Sequence, residues 1–546
     1  MKPEARFAEL VLPETQRQQF LERIGSQVKA EDFALIQRMV EAFPELLELC
    51  EQRGMSVERL RRIAFGAPTE KTVNLFPPAV PSPSTEGTPP ADRRRRKGHG
   101  RCAARHYTGA RRVPTPHPSL RPSQLCPACQ KGKLCRTQPA PVVRVQAQPP
   151  VTAQVYDLEV LRCALCGKTF TAPLPAEAGL EKHAPSVGVM AALLRYGSGL
   201  PAYRLAQLQR SLGVPLPAST QWELVEPIAR QLQPALDRLI FEAAQAPLLH
   251  NDDTSMRVSD LRREIRQETN PKRTGIFTTG IVAQAEHPIA LFFTGRQHAG
   301  ENLTQVLRQR QTELPAPLHM CDGLARNESS EFDTLLACCL AHGRRGFVEV
   351  ASRFPEPCQQ VLESLRAVYR FDAQARKEAL NPAQRLVWHQ THSQPVMTQL
   401  KTWLQSQLDQ RQVEPNSGLG DAIDYLLRHW EPLTLFLRVP GAPLDNNICE
   451  RALKMAIMHR KNSLSYKTQR GAQVGDLFMS LIHTCRLNQV NPFDYLMALV
   501  EHPTHLLTHP ADWLPWNFGH VLDAGPSTTA PVGASVPPEA SPPAVS

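Results

Sequence analysis

Between residues 246 and 322 the chain reads as a fixed succession of short apolar runs, and two of them end on acids. The run APLLHND closes on Asp252 and is followed directly by Asp253. Two β-rich runs, GIFTTGIVA at 275–283 and PIALFFTG at 288–295, are separated by a short polar link. A helical stretch at Gly300–Arg310 comes next, and LHMCD at 318–322 closes on Asp322. Runs of this length with this β-branched content read as buried strands. The order is therefore strand, strand, strand, helix, strand.

That order is the order of a ribonuclease-H-like core, in which the first and fourth strands lie side by side at the centre of the sheet. Acids ending those strands then approach one another. Side chains alternate along a strand, so only one of Asp252 and Asp253 faces such a site. Asp252 is the expected one, and His250, two residues earlier, shares its face. A third acid comes from PLDNNICERALKMAIMHRK at 443–461. This stretch reads as a helix starting near Asp445 or Asn446, both good N-cap types. Glu450, Leu453 and Ile457 then share one face. Arg451, Lys454, Arg460 and Lys461 make the rest of that helix basic. A Glu in a first helical turn is also what the helix dipole alone would favour. Read together, Asp252, Asp322 and Glu450 form a carboxylate triad. Such charges repel unless a counter-ion is present. Two Mg²⁺ ions (or Mn²⁺), hard cations that prefer oxygen, would serve and would support in-line attack on a phosphodiester.

Charge points the same way. The net charge is +10, and residues 93–136 hold thirteen Lys and Arg with no acid, more than the whole excess. The run Arg93, Arg94, Arg95, Arg96, Lys97 heads this block. Such a block suits a polyanion, most often nucleic acid, or forms a solvated linker. Within it begins a cysteine pattern: Cys126-Pro-Ala-Cys129, thirty-three residues, then Cys163-Ala-Leu-Cys166. Two CxxC pairs predict a four-thiolate structural Zn²⁺ site of ribbon shape, with no open position for chemistry. A redox CxxC fits less well, because the motifs come as a pair and no thioredoxin-like pattern surrounds them. There is no signal-peptide core and no apolar run long enough for a membrane span, so a cytoplasmic protein is expected.

At 546 residues three or four domains are expected. The fold class is multidomain α+β. Residues 1–75 read as helical, with a short seam at Ile36, Val40, Phe43, Leu47 and Cys50. Residues 76–112 form a Pro-rich, basic linker, and 113–175 the zinc ribbon. Residues 183–245 read as helices with a helix-turn-helix cadence, Gly213 permitting the turn and Ser219-Thr220 capping the second helix; a plain helical hairpin reads equally well. The core's first part spans 246–325, a helical insertion 326–440, and the core's second part 441–505; a disordered tail covers 524–546. Cys339 and His342 form a CxxH that reads as helix interior or as a brace beside the site. His459, Arg460 and Lys461 read as a phosphate-contacting cluster or as a solvated basic face.

Several stretches resemble the IS66 family of insertion-sequence transposases. They are HNDDTSMRV, MCDGLARN, CLAHGRRGF, GAPLDNNICERALKMAIMHRKNSLSYKT and SLIHTCRLNQVNPFDYLMAL, with LRCALCGKTF and LLRYGSGLPAYRLAQLQRSLGVPLPASTQW upstream. The likeness covers roughly residues 95–505 and is most specific around Glu450. It implies a DDE transposase with Asp252, Asp322 and Glu450 at the motif positions. It also implies DNA as partner (element ends and target), an oligomer of the chain on that DNA, and accessory proteins of the same element. The competing expectation is a zinc-containing DNA-binding protein without catalysis.

Overall fold

The structure, a computed structural model, describes residues 112–524 except 139, 140, 146, 147, 167 and 180, together with helix α1 (Glu14–Gly25) and single positions up to Val40. The Arg93–Lys97 run, the tail beyond 524 and most of the expected N-terminal seam lie outside the described residues. The chain divides into two compact units, one of residues 1–80 with 344–366, the other of 81–343 with 367–546. The second holds every element discussed below, apart from parts of α8 and α9.

Strands β1 (Val160–Arg162) and β2 (Thr169–Thr171) pair antiparallel as a small hairpin. Four helices follow: α2 (Pro185–Ala192), α3 (Ala202–Ser211), α4 (Ala218–Gln231) and α5 (Gln233–Ala244). Gly213, between α3 and α4, has φ +79°, a left-handed conformation that glycine adopts without strain. α4 starts at Ala218 with Pro217 before it, so Ser219 and Thr220 lie inside its first turn and do not cap it. The apolar residues of this region belong to the same hydrophobic core as the sheet that follows, through Val189, Leu205, Val225 and Leu239.

The sheet is formed by β3 (Leu248–Ser255), β4 (Phe277–Gln284), β5 (Ile289–Gly295), β6 (Leu318–Cys321) and β7 (Leu335–Cys338). Its order is β5-β4-β3-β6-β7. β3, β4 and β5 run antiparallel in sequence, while β6 is parallel to β3 and β7 parallel to β6. Helix α6 (Ser259–Gln267) lies between β3 and β4, and α7 (Ala299–Leu307) between β5 and β6. Two features depart from the expected layout. α6 was not foreseen; its nine residues bury only Leu261 and Ile265. β7 falls inside the stretch 326–440 expected to be a helical insertion, so the sheet extends to Cys338 before helices take over. Those helices are α8 (Leu340–Val350), α9 (Pro355–Lys377), α10 (Pro382–Asp409) and α11 (Gly418–Arg428). The chain returns through α12 (Asn447–Ser463), α13 (Gln469–Leu487) and α14 (Pro492–Glu501).

α13 covers the edge of the sheet. β5 is an edge strand, and unpaired N–H groups on such a strand invite foreign pairing. Here Thr484 Oγ1 accepts from Ala290 N at 3.1 Å, Ser480 Oγ from Phe292 N at 3.0 Å and Asp476 Oδ2 from Thr294 N at 2.6 Å. The match is geometric. Four helical residues rise about 6 Å, close to the roughly 6.8 Å of two strand residues. Asp476 also accepts from Thr294 Oγ1 at 2.6 Å, and that hydroxyl meets Thr278 Oγ1 at 2.7 Å. Burial nevertheless pushes the Asp476 carboxyl up to about 7, against those donors.

A raised carboxyl favours the protonated folded state, so its stabilising effect is complete below the unfolded value near 4 and is lost as pH rises through about 7. Asp476→Asn has the same donor and acceptor as the neutral acid. Between pH 4 and 7 the wild type should lose on the order of 2–4 kcal/mol relative to that variant. Urea denaturation of both proteins at pH 5 and pH 8 measures this.

Candidate active site

The site is built where the parallel strands end. The register pairs His250 with Met320 and Met320 with Ala337. Two residues further on come Asp252, within β3, and Asp322 and Cys339, each just past the end of its strand. In open sheets of this kind ligands gather outside the carboxyl ends of the strands.

α12 lies over that face. Asp252 pairs across the ladder with Gly280. A Cβ on Gly280 would stand 3.0 Å from Leu453 and 3.5 Å from Cys449 Sγ, so glycine here lets α12 approach. Asp253 and Thr279 point to the opposite face, where α7 packs. There Asn302 donates to Thr279 Oγ1 at 2.8 Å. Asp253 Oδ2 meets His298 Nδ1 at 3.0 Å, and its other oxygen lies 3.9 Å from Arg326. Asp253 is thus a paired, buried carboxylate away from the α12 face, while Asp252 faces Glu450's helix.

Asp252 has no cationic partner among the described residues. Its Oδ1 accepts from the Asp253 amide at 2.8 Å. Burial first, then the charges of Asp322, Asp253 and Glu450, push it up to about 7. Asp322 is held by Asn327 Nδ2 at 2.7 Å and Leu324 N at 3.0 Å. Glu450 is half-buried, in the first turn of α12. Asp252 thus feels the charges of both other carboxyls.

Their donor atoms are not gathered as tightly as one cluster. Among the described residues the group of His, Cys, Asp and Glu whose donor atoms all lie within 4.8 Å of one another is Cys339, His342 and Glu450. His342 Nε2 stands 3.8 Å from Glu450 Oε1. Cys339 Sγ accepts from Asn446 N at 3.2 Å. Burial raises the Cys339 thiol to about 11, against amide donors from Asn446, His342 and Ala341.

Sequence reasoning missed the polar chain that ties these elements together. Asn446, just before α12, donates from Nδ2 to Asn251 O at 2.8 Å and meets His250 Nδ1 at 3.0 Å. Asn251 in turn donates to Asn327 O at 2.7 Å, and its Oδ1 meets His319 Nε2 at 2.9 Å. All five side chains are buried. Because the Asn oxygens accept, His250 carries its proton on Nδ1 and His319 on Nε2. Burial lowers both imidazoles to about 4, so they remain neutral at physiological pH. Asn446 therefore locks and does not cap, since its side chain makes no cap bond.

The basic residues of α12 divide. Arg451, Lys454 and Lys461 are exposed. Arg460 binds the end of β3, donating to Thr254 Oγ1 at 3.1 Å, to Ser255 Oγ at 2.7 Å and to Ser255 O. His459 is no phosphate ligand. It is 1% exposed, with its ring 4.2 Å from Tyr466 and 6.2 Å from Tyr196, and burial lowers it to about 4.

The four ribbon cysteines form two separate pairs. Cys126 N donates to Gly132 O at 2.7 Å and Gln130 N to Cys126 O at 2.8 Å, closing one knuckle. Cys163 N donates to Lys168 O at 2.9 Å at the head of the β1–β2 hairpin, closing the other. Amide hydrogens of Gly132 and Lys131 lower the Cys129 thiol, and those of Cys166 and Leu165 lower Cys163. Each knuckle is thus suited to a thiophilic ion, though the four sulfurs do not gather within the 4.8 Å spacing.

Residues 182–474, a little over half of the chain, match the Transposase IS66 family. The chain belongs to that family. Asp252, Asp322, Cys339, His342 and Glu450 all fall within the matched IS66 segment. Two relatives come from Sinorhizobium fredii, and both are named only as uncharacterized proteins. One, y4jD, is 25% identical over 498 residues, covering 85% of this chain and 93% of its own length. The other, y4hP, is 24% identical over 505 residues, covering 85% and 88%. Among the described residues no helix is long and apolar enough to cross a membrane.

Asn446→Ala would leave the His250 Nδ1–H and the Asn251 carbonyl buried and unpaired. The expected loss is about 1–3 kcal/mol for each group, read from urea denaturation against the wild type.

Proposed function

We propose that this IS66-family chain is a DNA transposase that cuts the ends of an insertion sequence and joins them to target DNA, with Asp252, Asp322 and Glu450 as its DDE carboxylates. The observation that supports this most is Asp252. It is a carboxyl two residues past His250 in a central strand, level with Asp322, facing Glu450's helix, and raised to about 7 with no cation beside it among the described residues. Three carboxylates on one face form an oxygen donor set that fits hard divalent ions. Bound by these residues, Mg²⁺ or Mn²⁺ would neutralise the charge and provide the electrophilic assistance of a two-metal phosphoryl transfer. In a two-ion site the ions stand about 3.5–4 Å apart, so ligands of different ions need not lie within one 4.8 Å group.

The chain's own residues do the remaining work. Asn327 fixes the Asp322 carboxylate in one orientation through a 2.7 Å bond. The half-buried positions of Asp322 and Glu450 leave the site open to a DNA strand. Arg451, Lys454 and Lys461 lie at i, i+3 and i+10, on one side of α12, where they can neutralise phosphates. Arg460 serves this face by anchoring α12 to β3. In this reading the five-stranded sheet with its central β3–β6 pair is the ribonuclease-H-like core. Residues 183–245 are its helix-turn-helix-like flank, and the Cys126, Cys129, Cys163 and Cys166 knuckles together hold one structural Zn²⁺. Arg93–Lys97 tracks the DNA backbone, and copies of the chain assemble on the DNA with accessory proteins of the same element.

The second reading, a zinc-containing DNA-binding protein without catalysis, is favoured by one observation: the three carboxylates are not gathered within 4.8 Å. Cleavage separates the two. With Mg²⁺, purified full-length protein should nick element-end DNA and join the 3′ ends to target. Asp252→Asn, Asp322→Asn and Glu450→Gln should each lose several kcal/mol of transition-state stabilisation, roughly two to three powers of ten in rate, with DNA affinity kept. Equal binding and no cutting by wild type and variants alike would leave the binding protein.

A further inference from the structure

The strand ends carry a second donor set beside the carboxylates, and its chemistry differs. Cys339 follows β7 as Asp322 follows β6, and Cys339 N donates to Cys321 O at 2.8 Å, continuing the ladder. His342 lies one turn along at the start of α8, and Glu450 comes from α12. Donor atoms of the three lie within 4.8 Å of one another.

Ordinary packing does not account for their polar atoms. His342 Nδ1 is buried with no hydrogen-bond partner. Nε2 stands 3.8 Å from Glu450 Oε1, too far for a hydrogen bond. Neighbouring ligands of a tetrahedral zinc ion sit roughly 3.4 Å apart, so the gap is close to an ion's own spacing. The Cys339 sulfur accepts an amide N–H from Asn446 at 3.2 Å, an arrangement that supports a thiolate once a cation displaces the proton.

We propose that Cys339, His342 and Glu450 bind a thiophilic divalent cation of the zinc class, with a fourth position left open. One sulfur, one imidazole nitrogen and one carboxylate oxygen make a borderline-soft set that prefers Zn²⁺ or Co²⁺ to Mg²⁺. The open position comes from the ligand count, three where zinc takes four. The half-exposed His342 and Glu450 provide the way in. The site shares Glu450 with the proposed catalytic centre but does not depend on DNA cleavage. An ion held here draws Glu450 toward the end of β7.

Full-length protein, stripped with a chelator and titrated with Co²⁺, tests this. Wild type should take up one equivalent more than His342→Gln or Cys339→Ser, and the lost equivalent should take its thiolate-to-cobalt absorption with it. His342 is half-exposed, so His342→Gln should keep the wild-type circular dichroism even if Cys339→Ser does not fold. Asp252→Asn should keep that thiolate-to-cobalt absorption whether or not the wild type cleaves DNA. Equal uptake with equal spectra in wild type and His342→Gln overturns the proposal, as does loss of the thiolate-to-cobalt absorption in Asp252→Asn.

Discussion

The pairing of β3 with β6 carries the rest of the site. Only three residue pairs join these strands, yet they set Asp252 level with Asp322. Parallel pairing is slightly weaker per residue than antiparallel, and like charges stand just past these three pairs, at Asp252 and Asp322. The buried chain from His250 through Asn446 to Asn251, His319 and Asn327 ties them in place. It links β3 to β6 and to the start of α12 by charge-neutral bonds between 2.7 and 3.0 Å. It leaves two ring nitrogens, His250 Nε2 and His319 Nδ1, without partners. Unpaired buried nitrogens cost stability, so the network is better understood as fixing register than as adding strength.

The other side of the sheet solves a different problem. β5 is long, apolar and at an edge, and such an edge aggregates if left bare. Asp476, Ser480 and Thr484 cover it with a helical repeat of four against a strand repeat of two. The same helix meets Tyr196 and Tyr466 through Phe478 and the close approach at Gly475. The edge cover and the helices ahead of the sheet thus share one core with the face that bears the acids.

How much of this could be seen in the sequence follows from distance along the chain. Fully buried strands write continuous apolar runs, so β3, β4, β5 and β6 were legible, with Asp322 just past β6; Asp252 was expected to end its strand, but β3 continues to Ser255 along β4. Glu450 and its helix were legible because a helix start is signalled within four residues. β7 was not, because LLAC is four residues long and only its last two are buried. Asn446 was not, because its partner Asn251 is 195 residues away and an Asn before a helix looks like an ordinary cap. His459 was misread through its neighbours Arg460 and Lys461. Its spacing from the buried Ala452 and Ala456 places it on the inner face of α12, and that signal was available.

The electrostatics of the face bind these observations together. Three carboxyls on one side of a sheet cannot all remain charged cheaply in a half-buried site. The fold could have relieved that charge with a lysine or arginine, as it does for Asp253 with His298 and Arg326. At Asp252 it does not, and it builds the surroundings from neutral groups: asparagines, imidazoles kept uncharged by burial, and a thiol. Arg460, the cation within reach of this strand's end, is turned instead onto Thr254 and Ser255. Among the described residues Asp252 is thus left with an amide donor and neutral neighbours, and its charge is relieved by protonation and not by a cation of the chain.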